Sequence, residues 1–262
     1  MRAIQLVLLG LVAYVVSMVF LFPAAPVVER IKPNIQPVQL NGVSGKLFSG
    51  QVANVIYADD LLPVELRNVA WKLAPGALLK GGAGVDISYE GYGGRGDGQV
   101  RRQWNGNINV SDFIFSATAK EFEPLLPAPV ASFSGNINGE LASIIVENNL
   151  LSTIEGKLTW NDAVIETSLY GPPLNANLGK LDVDITPDGD AAHVIALNSS
   201  GGELSLEGTI NLTMAGDFES NLLFTPSSNA PAELTSVLQR FARPDAGGRY
   251  RVKQAGNINQ GF

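Results

Sequence analysis

The stretch Leu204-Ser205-Leu206-Glu207-Gly208-Thr209-Ile210-Asn211-Leu212-Thr213-Met214 decides the fold class. Successive side chains of an extended chain point to opposite sides. Leu204, Leu206, Ile210, Leu212 and Met214 therefore share one face, and Ser205, Glu207, Asn211 and Thr213 the other. A strand that buries one side and wets the other belongs to an antiparallel sheet. The same period recurs in Val85, Ile87 and Tyr89 against Asp86, Ser88 and Glu90, and in Leu181, Val183 and Ile185 against Asp182, Asp184 and Thr186. Glycine-rich joints at 91–98, 188–190 and 200–202 supply turns.

Residues 206–210 are also one of five copies of a short pattern, an apolar or aromatic residue, a polar one, glycine, a polar one and an aliphatic. The others lie at 43–47, 104–108, 133–137 and 154–158. Glycine inside a strand lets a neighbouring aromatic lie across the backbone, or permits a bulge that curves the sheet. The irregular spacing excludes a regular solenoid. A long, curved, meandering sheet is the expected architecture, with a closed barrel the alternative.

Two helices are expected beside the sheet. Near the C-terminus Ser228 or Asn229 can cap a helix with Pro231 in its first turn, Glu233 at its positive end and Pro244 as its stop. Leu234, Val237, Leu238 and Phe241 fall on one stripe, suited to plugging one end of the curved sheet or docking on a partner. A shorter candidate runs over 116–126.

The N-terminus points to a membrane. Residues 4–22, from Ile4 through Leu9 and Val16 to Phe22, carry no charge. As a helix they span roughly 28 Å, close to a hydrocarbon core of about 30 Å. The exit Phe22-Pro23-Ala24-Ala25-Pro26 is a poor leader-peptidase site, so an uncleaved single-pass anchor is expected. With so short a leading tail, residues 1–3 are placed in the cytoplasm and the bulk of the chain outside it, in the periplasm of a diderm bacterium. Four prolines in 23–41 predict an extended stalk, and 42–262 form the β-rich domain.

Composition narrows the function. The chain has 262 residues, a formal charge of −7, no cysteine and one histidine, His193. The acidic balance counts against nucleic acid as a partner. The absence of cysteine removes disulfides, thiolate metal sites and cysteine nucleophiles. Triads and histidine-rich metal sites would all have to pass through His193, which has no nucleophile motif beside it and reads as structural. Gly91-Tyr92-Gly93-Gly94-Arg95-Gly96 matches a dinucleotide fingerprint, but no buried helix follows, so it reads as a hairpin loop. Asp182, Asp184, Asp188 and Asp190 lack calcium-loop order and read as a solvated face. No catalytic residue, metal or cofactor is expected. After Gln239, five basic residues stand against Asp245 alone, a patch suited to anionic lipid or an acidic partner surface.

Three stretches carry a family resemblance. Residues 42–51 (GVSGKLFSGQ), 69–81 (VAWKLAPGALLKG) and 238–250 (LQRFARPDAGGRY), with the single N-terminal span, resemble the type II secretion system protein N family. Phe48 departs from the tryptophan expected there, an aromatic for an aromatic. The resemblance implies a non-enzymatic inner-membrane accessory component of the machinery that exports folded proteins. Its partners would be other inner-membrane components and the secretin. The glycine-punctuated strands also look like those of AsmA-like proteins, which implies the alternative of a lipid-binding or lipid-transfer module with a lipid ligand. The expected fold is thus mainly β, a transmembrane helix followed by a curved antiparallel meander, AsmA-like or an open barrel, with a C-terminal amphipathic helix. Expected interaction sites are Gly45 with Trp71, and Arg243 with Arg249.

Overall fold

A computed structural model of the chain describes residues 14, 17–18, 21–34, 37–57, 64–74, 82–125, 131–147, 150–167, 174–189 and 192–257. Thirteen strands form one antiparallel sheet in which spatial order follows chain order. They are β1 (Val38–Lys46), β2 (Ser49–Tyr57), β3 (Val64–Ala74), β4 (Gly82–Gly91), β5 (Gly94–Gln103), β6 (Ile108–Thr118) and β7 (Ala131–Glu147). Then come β8 (Leu150–Thr167), β9 (Leu174–Pro187), β10 (Ala192–Gly201), β11 (Leu204–Thr213), β12 (Asp217–Pro226) and β13 (Tyr250–Asn257). β1 and β13 are not paired with each other, so the meander is open and the closed-barrel alternative falls.

Cross-strand partners put the alternating apolar residues on one face. One row runs Tyr89, Gly96, Phe115, Gly139, Leu158, Val183, Leu197, Gly208, Leu222, Val252 across β4 to β13. Glycine makes room for rings along it: a Cβ on Gly96 would lie 2.6 Å from the Tyr89 ring, and one on Gly139 2.2 Å from Phe115. The five copies of the glycine pattern do not mark one structural position. Gly106 sits in the β5–β6 turn at φ +94°, Gly135 in a β7–β8 bulge at φ +101°, and Gly156 inside β8. Further bulges fall at Asn68, Asp112 and Asp162, all with positive φ. Asn and Asp are the side chains that best tolerate that region, and each bulge adds twist.

The packed core lies at one end. Helix α2 (Ala232–Phe241) connects β12 to β13 and seats Leu234 and Leu238 among Ala163, Leu178, Leu181, Leu204, Leu206 and Tyr250. It touches both β9 and β13. In a flat sheet those strands would lie about 19 Å apart, wider than a helix of about 10–12 Å, so the sheet curls around α2. The expected plug is what the stripe forms. Its start differs from expectation: Pro231 is the N-cap and no side chain caps the helix, while the Ser227 hydroxyl accepts the Asn229 N–H one turn earlier.

Two further expectations are corrected. The proline-rich 23–41 stretch is not simply extended, for it holds helix α1 (Ala24–Ile31), a 3-10 turn at Lys32–Asn34 and the start of β1. Pro23 is the N-cap of α1 and Pro26 its third residue, where the backbone N–H has no intrahelical partner to lose. The candidate helix at 116–126 is instead the end of β6 and a 3-10 segment, Ala119–Leu125, whose Phe122 stacks on Tyr92 at 5.2 Å. Strand pairing of Ser116, Ala117 and Thr118 with Asn138, Ile137 and Asn136 of β7 overrides the local helical pattern. The anchor expected at Ile4, Leu9 and Val16 lies outside the described residues. Among the described residues, no helix is long and apolar enough to cross a membrane.

Candidate interaction site

The structure gathers Trp71, Gly45 and the residues before α1 into one clasp. Trp71 stands on β3 opposite Gly50, and its ring packs against that glycine, since a Cβ there would meet the ring at 2.5 Å. The indole N–H donates to the Leu47 carbonyl at 3.0 Å, gripping the β1–β2 turn. Gly45 pairs with Gly50 at φ +90°, with the backbone of β2 too close for any side chain. From the other side, the Leu47 N–H donates to the Phe22 carbonyl at 2.9 Å and Pro23 bridges Lys46. Ala24, at 0% exposure, is sealed as α1 packs on β1. Phe22, expected as the last residue of the span, is therefore stitched to the first hairpin. The roles of Leu47 and Phe22 were missed in the sequence because backbone groups do the work, and backbone groups carry no residue signature.

Arg243 and Arg249 lie at the opposite end of the sheet, between α2 and β13, and do different things. The Asp245 carboxylate accepts the backbone N–H groups of Gly247 and Arg249 and pairs with the Arg249 guanidinium at 2.8 Å. Those bonds, the Arg249 backbone first, hold the Asp245 carboxyl below the usual carboxylate range. Arg249 thus fastens a turn, whereas Arg243 is exposed. Arg249, Arg251 and Lys253 alternate along the chain into β13, a period-two basic stripe that the sequence contains and that a count of charges does not resolve.

The remaining polar candidates are structural. His193 is 4% exposed, and its Nε2 accepts the Ile154 N–H at 2.8 Å. His193 pairs with Pro187, the last residue of β9, so the imidazole continues the ladder onto β8 where β9 ends. Burial lowers its pKa and favours the neutral acceptor form. Asp182 accepts from Lys180 and Thr159, and its carboxyl is lowered chiefly by Lys180; Asp184 faces Lys157 at 3.2 Å. Asp190 lies outside the described residues. The glycine-rich 91–96 run is a hairpin: Gly91 pairs with Gly94, and Tyr92 and Gly93, at φ +53° and +71°, form the turn. Gly94, Gly96 and Gly98, which follow the turn, belong to β5 rather than to a loop.

Among the described residues, the apolar face is packed at one end and covered by no helix at the other. Leu181, Leu204 and Leu206 are buried under α2, while Val85 and Ile87 on β4 are only half-buried. Near β6–β9 an open cavity of ≈ 350 Å³ is lined by the apolar Phe113, Leu141 and Ile185 and by the charged Glu140, Lys157 and Asp184 among others.

An open single-layer meander, clasped to its N-terminal segment at one edge and filled by a helix at the other, defines a protein built around exposed edges and faces. Residues 36–253 match the family model described as Type II secretion system (T2SS), protein N, and the chain belongs to that family. It is 27% identical over 256 residues to the type II secretion system protein N of Aeromonas hydrophila, covering 95% of this chain and 96% of that one. No solved structure matches it.

Proposed function

We propose that this chain is a non-enzymatic accessory component of the type II protein secretion machinery, anchored in the inner membrane by residues 4–22 with its β domain in the periplasm. The domain acts in assembly or interaction, and its partners are other inner-membrane components and the secretin. The observation that carries the reading is the clasp. Phe22 and Pro23 are bonded directly to Lys46 and Leu47, and Trp71 locks that hairpin to β3. An anchor joined without slack to the first three strands fixes the orientation of the sheet on the membrane, as a scaffold requires. Family membership supplies the machinery. Extraction of native membranes and protease treatment test the topology. The protein should resist alkaline extraction and be cut once the outer membrane alone is opened. Recovery in the soluble fraction, or cleavage only after the inner membrane is breached, would sink the reading.

The uncovered apolar face favours a second reading, a lipid-binding or lipid-transfer module. The cavity beside Phe113 and Leu141 falls in the size range of ligand sites. Native mass spectrometry separates the two: stoichiometric lipid without secretion subunits would favour the carrier, and secretion subunits with only bulk lipid the scaffold.

A further inference from the structure

An open sheet has two edges, and these two differ. The β1 edge is occupied at one end, where Pro23 bridges Lys46 and α1 packs against the strand. At the β13 edge, Pro244 bridges Tyr250 and the Asp245 N–H donates to the Arg249 carbonyl, which covers the start of the strand. From Val252 to Gly256, among the described residues, no strand lies on the outer side, and Lys253 and Ala255 turn their N–H and C=O groups outward. Arg251 and Lys253 stand on one face of this edge, opposite Leu223 and Asn221 of β12, and both are exposed. Arg251 is oriented by the Asn221 side chain at 2.9 Å, while the carboxylates of β12 on that face, Glu219 and Asp217, lie further along, toward Asn257.

We propose that β13 is a docking strand that pairs, by strand addition, with an extended acidic segment of another component of the secretion machinery, carrying carboxylates two residues apart. The proposal rests on the scaffold reading. Strand addition supplies main-chain hydrogen bonds, and the carboxylates meet Arg251 and Lys253 as cross-strand pairs. The same two cations exclude a second copy. β13 against β13 opposes like charges, and β1, the other edge, carries Lys46 and no carboxylate. The overall charge of −7 makes this basic edge the place where an acidic partner is least repelled.

The test uses the full-length chain in detergent and two labelled peptides of alternating valine with glutamate or lysine, read by fluorescence anisotropy at low salt. The glutamate peptide should bind roughly tenfold tighter or more than the lysine peptide, with binding weakened by salt. R251E/K253E should reverse the order, and A255P, which removes an outward main-chain N–H from the edge, should abolish both. Equal binding of the two peptides, no binding, or indifference to R251E/K253E would overturn the proposal, as would dimerisation of the wild type through β13. Co-purification from the host separates the two readings. Secretion subunits retained by R251E/K253E would remove the docking strand and leave the scaffold, whereas none on the wild type would remove the scaffold while the peptides still judge the strand.

Discussion

Gly106 and Gly135 carry the same short motif and nearly the same φ, yet alanine should cost very different amounts at the two. Their φ angles are +94° and +101°. A side chain in that region is strained by about 1–2 kcal/mol wherever it sits. At Gly106, in the β5–β6 turn, a Cβ would meet nothing within 4 Å, so strain is the whole effect. At Gly135 the Cβ would lie 2.3 Å from the Asn161 carbonyl and 2.5 Å from that of Asp162, backbone atoms of the opposing bulge in β8 that cannot rotate away. Displacing them adds about 1–3 kcal/mol, the usual range for overpacking. Gly135→Ala should therefore unfold roughly 2–12 °C below Gly106→Ala, at about 2–4 °C per kcal/mol for a chain near this size. Thermal unfolding of both variants, followed by far-UV circular dichroism in the same detergent, gives the comparison. Equal melting temperatures would mean that the β7–β8 bulge has slack, and the argument that this glycine is fixed by close approach would be wrong.

Three further outcomes follow from the polar contacts. His193→Ala strands the Ile154 N–H and should cost about 1–3 kcal/mol in chemical denaturation. His193→Gln can restore an acceptor without a titrating group. Because burial lowers the folded pKa of His193 below its ordinary 6.5, its contribution is complete above that value and is lost as pH falls toward the folded pKa. The acid-side decline in melting temperature should be shallower in His193→Gln than in the wild type. Arg249→Glu should speed amide exchange at Gly247 and Arg249, while Arg243→Glu leaves it unchanged. Since the Asp245 carboxyl is lowered from its ordinary 3.8, the wild-type turn should keep its protection down to that pH and lose it as pH falls through the lowered value. Trp71→Phe keeps a ring over Gly50 but loses the bond to Leu47. It should cost about 0.5–1.5 kcal/mol and raise exchange at the Leu47 amide, and an unchanged rate there would count against the clasp.

Period two was enough to read the sheet and its wet and dry faces, and the helical stripe Leu234, Val237, Leu238 was enough to read the plug. Both are side-chain patterns whose burial partners need not be known. The bulges at Asn68, Asp112 and Asp162 were not legible, because Asn and Asp on a wet face look like ordinary solvated positions whatever their φ. Helix α1 was hidden by its prolines, whose effect depends on where the first turn begins. The candidate site was half legible. Trp71 and Gly45 stood out as residue types, but what joins them to Phe22 is main chain. Arg249 was visible as charge, yet its role in a turn is set by Asp245, four residues away.

The way the apolar face is finished also explains why the sheet stays open. Around β9 to β13 the chain supplies a second layer, α2, and Leu181, Leu204 and Leu206 are buried beneath it. From β4 to β7 the described residues supply only the short 3-10 segment Ala119–Leu125, and large rings are packed on glycines of adjacent strands instead: Tyr89 over Gly96, Phe113 beside Gly98, Phe115 over Gly139. Tyr89 and Phe113 stack at 6.0 Å, and Phe113 meets Phe115 at 5.8 Å. A ring packed against backbone loses part of its surface to the sheet, so a single layer hides some of its apolar area without closing on itself. Closure into a barrel would instead require inward side chains long enough to fill a lumen, and glycines in that row would leave voids. The glycine–aromatic row therefore favours an open sheet, and an open sheet is what leaves the β13 edge available for a partner.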